Sequence, residues 1–260
     1  MVMDEHIELL TERDYLVVKH NTLIQKSKYD LSLAEQKAIA YICSKIKPLD
    51  PSTSRTGLPY QLNYIFFIRD YAKVCGLTFS GRLYEDTIAL FKKLMTRIIS
   101  VEDYNRDIIL LTWISKVYIR RGSTIEIRLN PEIAPFLFDL KENFTAYGLL
   151  NILAMKSQYS IRIYELLHSH AFKGGIILGL DYMKQMLMVD NKKTYQRFPD
   201  FRRRALDPAM EEINMYTDLQ VSYEPITKGQ RKVEKIKFLI SKKSPSDRHI
   251  SWAKSTDKIT

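Results

Sequence analysis

The same succession of patterns occurs twice along this chain: helix, strand, short helix, longer helix, then a hairpin with a basic tip. In the first half, Ser32–Ile46 (SLAEQKAIAYICSKI) has helical periodicity. A loop from Lys47 to Gly57, rich in Pro, Ser and Thr, leads to a strand-like run, Tyr60–Ile68. A short helix around Asp70–Cys75 can stop at Gly76 through a left-handed cap, and Ser80 can cap the next helix, Gly81–Ile98. That helix should bury Leu83, Thr87, Leu90 or Phe91, Leu94 and Ile98, leaving Arg82, Lys93 and Arg97 on its other face with Asp86. Strand patterns Ile108–Ile119 and Thr124–Leu129 then flank the turn Arg120-Arg121-Gly122-Ser123.

The second half repeats the order. Tyr159–Phe172 reads as a helix, Ile176–Leu180 as a short strand and Asp181–Leu187 as a short helix. The pairs Asp70-Tyr71 and Asp181-Tyr182 mark equivalent starts of the two short helices. Leu219, Val221 and Tyr223, and later Ile236, Phe238 and Ile240, alternate with other residues across the turn Thr227–Arg231. Each half is thus expected to be a helix-turn-helix with a β-hairpin wing, which makes the chain α+β with two tandem winged-helix domains. The expected boundaries are 1–150 for the first domain, 151–243 for the second and 244–260 for an unstructured tail.

Between the short helix and hairpin of the second half lies Tyr195–Leu206 (YQRFPDFRRRAL), which opens a helical segment ending near Tyr216. Taking about 100° per residue from Phe201, the positions Ala205, Ala209, Ile213 and Tyr216 share one face, with Leu206 at its margin. Arg202 falls close to that face, and Arg203 and Arg204 well away from it. A helix with one face in a core and two guanidiniums on the other suits the DNA major groove, where Arg reads guanine bidentately. Asp207-Pro208 complicates this. Either the helix kinks near Arg204, or it restarts at Pro208 with the arginines on the preceding turn. At the second wing tip, Lys228, Arg231 and Lys232 should touch phosphates or the minor groove.

The chain has 260 residues and a formal net charge of +10, unevenly placed. Residues 1–150 hold 20 basic and 18 acidic side chains, whereas residues 151–260 hold 20 and 12. The excess clusters at Lys192, Lys193, Arg197 and Arg202–Arg204, and again at Lys228, Arg231, Lys232, Lys235 and Lys237. Such asymmetry indicates a polyanionic partner. The basic residues flank strands and turns and form no polar face along an amphipathic helix, which argues against a membrane surface. No apolar run approaches the roughly 20 residues of a membrane span. Asp4, Glu5 and Glu8 do not suit a signal peptide, and Cys43 and Cys75 sit in apolar helical patterns as buried thiols. The expected location is cytoplasmic.

Several separate stretches resemble the Rep_3 family of plasmid replication initiators. They are Tyr29–Gln36 (YDLSLAEQ), Tyr159–Leu167 (YSIRIYELL), Tyr195–Leu206, then Glu212-Ile213-Asn214 and Thr217-Asp218, in order and near the expected spacing. The resemblance covers roughly residues 15–241. It implies a protein that binds repeated origin sequences, the iterons, in double-stranded DNA as a monomer. It also implies a homodimer in equilibrium with that monomer, binding an operator inverted repeat and repressing its own gene. Base contacts carry over onto Arg197, Arg203 and Arg204, with Lys193, Tyr195 and Arg202 beside them. Arg82, Lys93 and Arg97 would add backbone contacts from the first domain, which also provides the dimer surface. Chaperones, a host replication initiator and the replicative helicase are partners that the resemblance brings with it.

No catalytic residue, cofactor or metal is expected. The chain lacks the phosphate-cradling G-x-x-x-x-G-K-[ST] pattern. His168-Ser169-His170 invites comparison with the His-hydrophobe-His metal site of rolling-circle nicking initiators. On a helix, however, the two side chains diverge by about 200°, and the central residue is Ser. The alternatives of a nicking initiator and of a dimeric repressor without a replication role stay open at this level.

Overall fold

The computed structural model describes residues 15–46, 60–78, 80–103, 105–120, 123–138, 140, 142–229 and 232–259. The N-terminal acidic residues, the loop 47–57, Arg121 and Gly122 of the first turn, and Gln230 and Arg231 of the second lie outside them, as does the side chain of Lys228.

The first half opens with strand β1 (Leu16–His20), helix α1 (Asn21–Gln25) and strand β2 (Ser27–Lys28). Helix α2 (Leu33–Lys45) begins with a capping box: the Ser32 side chain accepts from the Glu35 N–H, and the Glu35 carboxylate accepts from the Ser32 N–H. Strand β3 (Asn63–Phe67) runs straight into α3 (Ile68–Cys75), which ends at Gly76 with φ +64°, the left-handed cap expected there. Helix α4 is Leu83–Met95. It is shorter than expected at both ends: Arg82 takes the capping position without a side-chain bond, so Ser80 supplies no side-chain cap.

Ile98, expected to close the buried face of α4, begins strand β4 (Ile98–Glu102) and is exposed. β4 pairs with β5 (Ile108–Thr112). The single strand expected over 108–119 is therefore two, broken at the fully buried Trp113, after which β6 (Ile114–Arg120) and β7 (Thr124–Leu129) form the wing. Strand β8 (Phe144–Gly148) returns to pair with β1, and α5 (Leu150–Leu153) leads into the second half.

There, α6 (Gln158–His168), β9 (Gly175–Gly179) and α7 (Leu180–Met186) are followed by α8 (Phe198–Phe201) and α9 (Asp207–Tyr216). The wing is β10 (Leu219–Lys228) and β11 (Lys232–Lys242). The repeat is confirmed by sheet order. The strand before each short helix pairs with the second wing strand, giving β3-β7-β6 in the first half and β9-β11-β10 in the second. Counted from each strand–helix junction, the buried Tyr71 matches the buried Met183, so the Asp-Tyr pairs are one residue out of register.

Residues 245–259, expected as an unstructured tail, form helix α10 (Pro245–Ile259), with Ser251, Ser255 and Ile259 buried. Those three residues recur at four-residue spacing on one helix face. Two of the three are serines, so an apolar pattern gives no sign of the face.

Helix α6 is tied to strands β1 and β8 by a buried polar cluster. Lys19 Nζ and Tyr147 Oη each lie 2.5 Å from Glu165 Oε1. Arg162, one turn back on α6, donates to the Ser27 carbonyl at 2.7 Å and stacks over Tyr29. Burial pushes the Glu165 carboxyl up, but Lys19 and Arg162, with hydrogen bonds from Lys19 and Tyr147, hold it below its ordinary value.

Candidate nucleic-acid interface

The chain from Phe198 to Tyr216 is helical throughout, but not uniformly. Between α8 and α9, Arg202–Leu206 is a π-helical turn, in which the Asp207 N–H donates to the Arg202 carbonyl five residues back. Pro208 gives the reason. It has no N–H, and in an α-helix its ring would strike the carbonyl of Arg204. One additional residue in the preceding turn widens the coil where the ring needs room, and Pro208 then occupies the first turn of α9, where a missing donor costs little. The helix is neither broken nor restarted from a loop.

This turn changes where the arginines point. Phe201, Ala205, Leu206, Ala209 and Ile213 have no measurable exposure, while Arg202, Arg203 and Arg204 are exposed in succession. Full burial of a Phe, Leu or Ile side chain contributes about 1.5–3 kcal/mol, so the inner face is firmly anchored. Arg202, expected nearer the buried face, has a side chain 55% exposed, with Nε 3.4 Å from Asp207 Oδ2. Asp207 in turn accepts from Tyr223 Oη of the wing at 2.5 Å. Arg203 is 70% exposed and donates to Asp200 Oδ1 at 3.2 Å. Arg204 has no hydrogen bond or ion pair among the described residues.

Arg197 is exposed in extended conformation at the capping position of α8. It lines a cleft of about 590 Å³ with Asp181 and Lys184 of α7, and Lys232, Glu234 and Lys235 of the wing. The start of the recognition helix and the wing therefore share one basic surface. Lys184 donates to the Gln196 carbonyl at 2.7 Å, which steadies the turn before α8. Sequence reasoning did not single out Lys184, because it stands alone on a short helix with no pattern around it. Lys193, in the short turn before Gln196, is exposed. Tyr195 is half-buried, its hydroxyl 3.2 Å from that of Tyr159 and the two rings edge to face, so it anchors the segment.

In the first half the expected set does not assemble. Arg82 and Lys93 are exposed but sit at opposite ends of α4, about 16 Å apart along its axis. Arg97 lies beyond the helix, with Nε 2.8 Å from the buried Glu35 carboxylate. Burial pushes the Glu35 carboxyl up, while hydrogen bonds from Arg97 and Ser32 hold it below its ordinary value. Arg97 therefore pairs through Nε with a buried charge, its side chain still 36% exposed. The α4 surface also carries Tyr84, Glu85 and Asp86 in its first turn, a poor place for phosphate.

His168 faces inward, its Nε2 3.2 Å from Asp218 Oδ2. No group of three His, Cys, Asp or Glu placed to hold a metal exists among the described residues, and no helix there is long and apolar enough to cross a membrane.

Comparison with known proteins agrees with this architecture. The chain matches the family model described as "Initiator Replication protein, WH1" over residues 16–168, and that described as "Initiator Rep protein, WH2" over residues 179–240. A replication initiation protein of Escherichia coli is 26% identical over 215 residues, covering 80% of this chain and 65% of that protein. The PI protein of Escherichia coli is 28% identical over 189 residues, covering 66% of this chain and 61% of the relative. The chain thus spans slightly less than two thirds of either relative's length. A solved structure, the Pi initiator protein in complex with iteron DNA, superposes with a TM-score of 0.66 at 21% identity, covering 89% of this chain and 99% of that one. At that identity the likeness speaks for the fold. With both winged-helix models matched in order across most of its length, the chain belongs to the Rep_3 family of plasmid replication initiators.

Proposed function

We propose that this protein initiates plasmid replication by binding repeated origin sequences in double-stranded DNA, acting by positioning and deforming the duplex without chemistry of its own. The observation that carries this reading is the π-turned recognition helix, which buries one face completely and presents Arg202, Arg203 and Arg204 in succession beside a basic wing. Base reading is assigned to Arg204, Arg203 and Arg197, and backbone contacts to Lys193, Lys228, Arg231 and Lys232. Arg202 joins the exposed row, and Tyr195 serves as an anchor. From the first domain, Arg82 and Lys93 add backbone contacts. Iteron binding is assigned to the monomer, whose single chain carries two winged-helix units.

A dimer that represses the initiator's own gene is the second part of the proposal, and β5 supports it. β5 is the edge of the sheet β2-β4-β5, and its Ile108 and Leu110 are 68% and 64% exposed. An apolar edge strand of this kind invites pairing with a second copy. Host replication initiator, replicative helicase and chaperones are proposed partners, and the cytoplasm the proposed location. The test is to sequence duplex fragments retained by the purified protein from a plasmid library. Direct repeats support an origin function, and a lone palindrome would reduce the protein to a repressor. Nicked supercoiled plasmid that disappears in His168→Ala would overturn the non-enzymatic reading.

A further inference from the structure

Helix α10 lies beyond residue 240, where the second family model ends. It is built into the fold at three places. At its start, Lys243 Nζ donates to the carbonyls of Asn214 at 2.5 Å and Thr217 at 2.9 Å, and to Ser251 Oγ at 2.8 Å. A cation on the final carbonyls of the recognition helix is favourably placed for the helix dipole. In its middle, Trp252 Nε1 donates to Asn151 Oδ1 at 2.8 Å, and the fully buried Ser255 donates to the Tyr216 carbonyl at 3.1 Å. At its end, Ile259 packs onto Gly76, the turn between α3 and α4 of the other domain. A Cβ added to Gly76 would collide with Ile259 Cγ2 and stand 2.5 Å from its carbonyl oxygen.

One helix therefore grips the C-terminal end of the second recognition helix and the turn that launches the first. We infer that α10 is a strap fixing the separation and rotation of α4 relative to α8–α9, so that the spacing between two half-contacts on duplex DNA is a property of the protein. Ser255 and Ile259 are its positioning residues. The inference rests on the DNA-binding reading above for its consequence, but not for its geometry.

Two measurements on full-chain variants decide it. The first is independent of DNA. Spin labels on Ala89→Cys of α4 and Glu211→Cys of α9, both exposed sites, should report one narrow distance in the otherwise unaltered protein. Ser255→Arg, which forces a long cation into a buried position, should broaden that distribution, and the milder Ile259→Gly should do so with the fold intact by circular dichroism. An unchanged width in both variants would overturn the strap.

The second uses the duplex that the unaltered protein selects from a random library, lengthened by one to five base pairs between its two footprinted half-contacts. Insertion should weaken binding of the unaltered protein roughly tenfold or more. For Ile259→Gly the same insertions should cost less than about threefold. Equal penalties in both proteins would refute the spacing role. Should no duplex be selected at all, the DNA reading fails, while the label distances still judge the strap.

Discussion

The two winged-helix domains share one strand order and differ in what their second helices show to solvent. In the first domain α4 is regular, and its opening turn carries Tyr84, Glu85 and Asp86. In the second, proline forces a wider turn and three consecutive arginines occupy it. The basic residues expected to match them in the first domain are dispersed: Arg82 and Lys93 sit at opposite ends, and Arg97 is bound to Glu35. Common topology sets where a helix can meet DNA, whereas the order of charges along it decides whether that helix reads sequence or only touches the backbone. We assign base reading to the second domain and positioning to the first.

The buried cluster around Glu165 offers the largest effect. Glu165→Leu leaves Lys19 and Arg162 buried without their carboxylate and should cost about 3–5 kcal/mol, measured by urea unfolding. Because the Glu165 carboxyl is held below its ordinary value of 4.5, its stabilisation is fully present above that pH and is lost as pH falls beneath it. Acid unfolding of the unaltered protein should therefore steepen below that point, and Glu165→Leu should flatten the curve there. A variant as stable as the parent would mean that α6 is held to β1 and β8 mainly by other contacts.

Next come the arginines. Arg204→Ala and Arg203→Ala should each cost roughly 1–3 kcal/mol on the selected site and little on random duplex. Arg82→Ala and Lys93→Ala should weaken both DNAs alike. If the first-domain variants discriminated and the second-domain ones did not, the division between reading and positioning would be reversed.

Arg97→Ala separates the domains in another way. Leaving the buried Glu35 carboxylate without its partner should cost about 1–3 kcal/mol of stability, with DNA affinity nearly unchanged. Loss of binding at full stability would return Arg97 to the DNA surface. The smallest effect belongs to the second wing. Lys232→Ala should weaken cognate and random binding equally and flatten the log–log salt dependence by about one unit.

Local periodicity made the two helix–turn–helix–hairpin units legible in the sequence, down to the left-handed cap at Gly76. It misled at Ile98. Its spacing continues the buried face of α4, but pairing with Thr112 of β5 draws it into a sheet. Strands β1 and β8 pair across more than a hundred residues and leave no local trace. Among the site residues, Arg203 and Arg204 were placed correctly on the outer surface. Arg202 was not, because a wheel at a constant angle per residue cannot represent a π turn. The ion pair of Arg97 left no trace for a different reason: its partner Glu35 lies 62 positions away. The small, polar buried face of α10, two serines and an isoleucine, does not register as a hydrophobic stripe.

The wide turn before Pro208 separates interior phase from exterior phase. The buried row from Phe201 to Ile213 stays continuous while the surface between them holds one residue more than an α-helix needs. Deleting a single arginine from the run would force a choice between a regular coil, in which the Pro208 ring strikes a backbone carbonyl, and a shift of the buried row by about 100°. The fold is therefore expected to accept substitution at each arginine but not a change in the length of the run, which thermal unfolding of single-residue deletions would check.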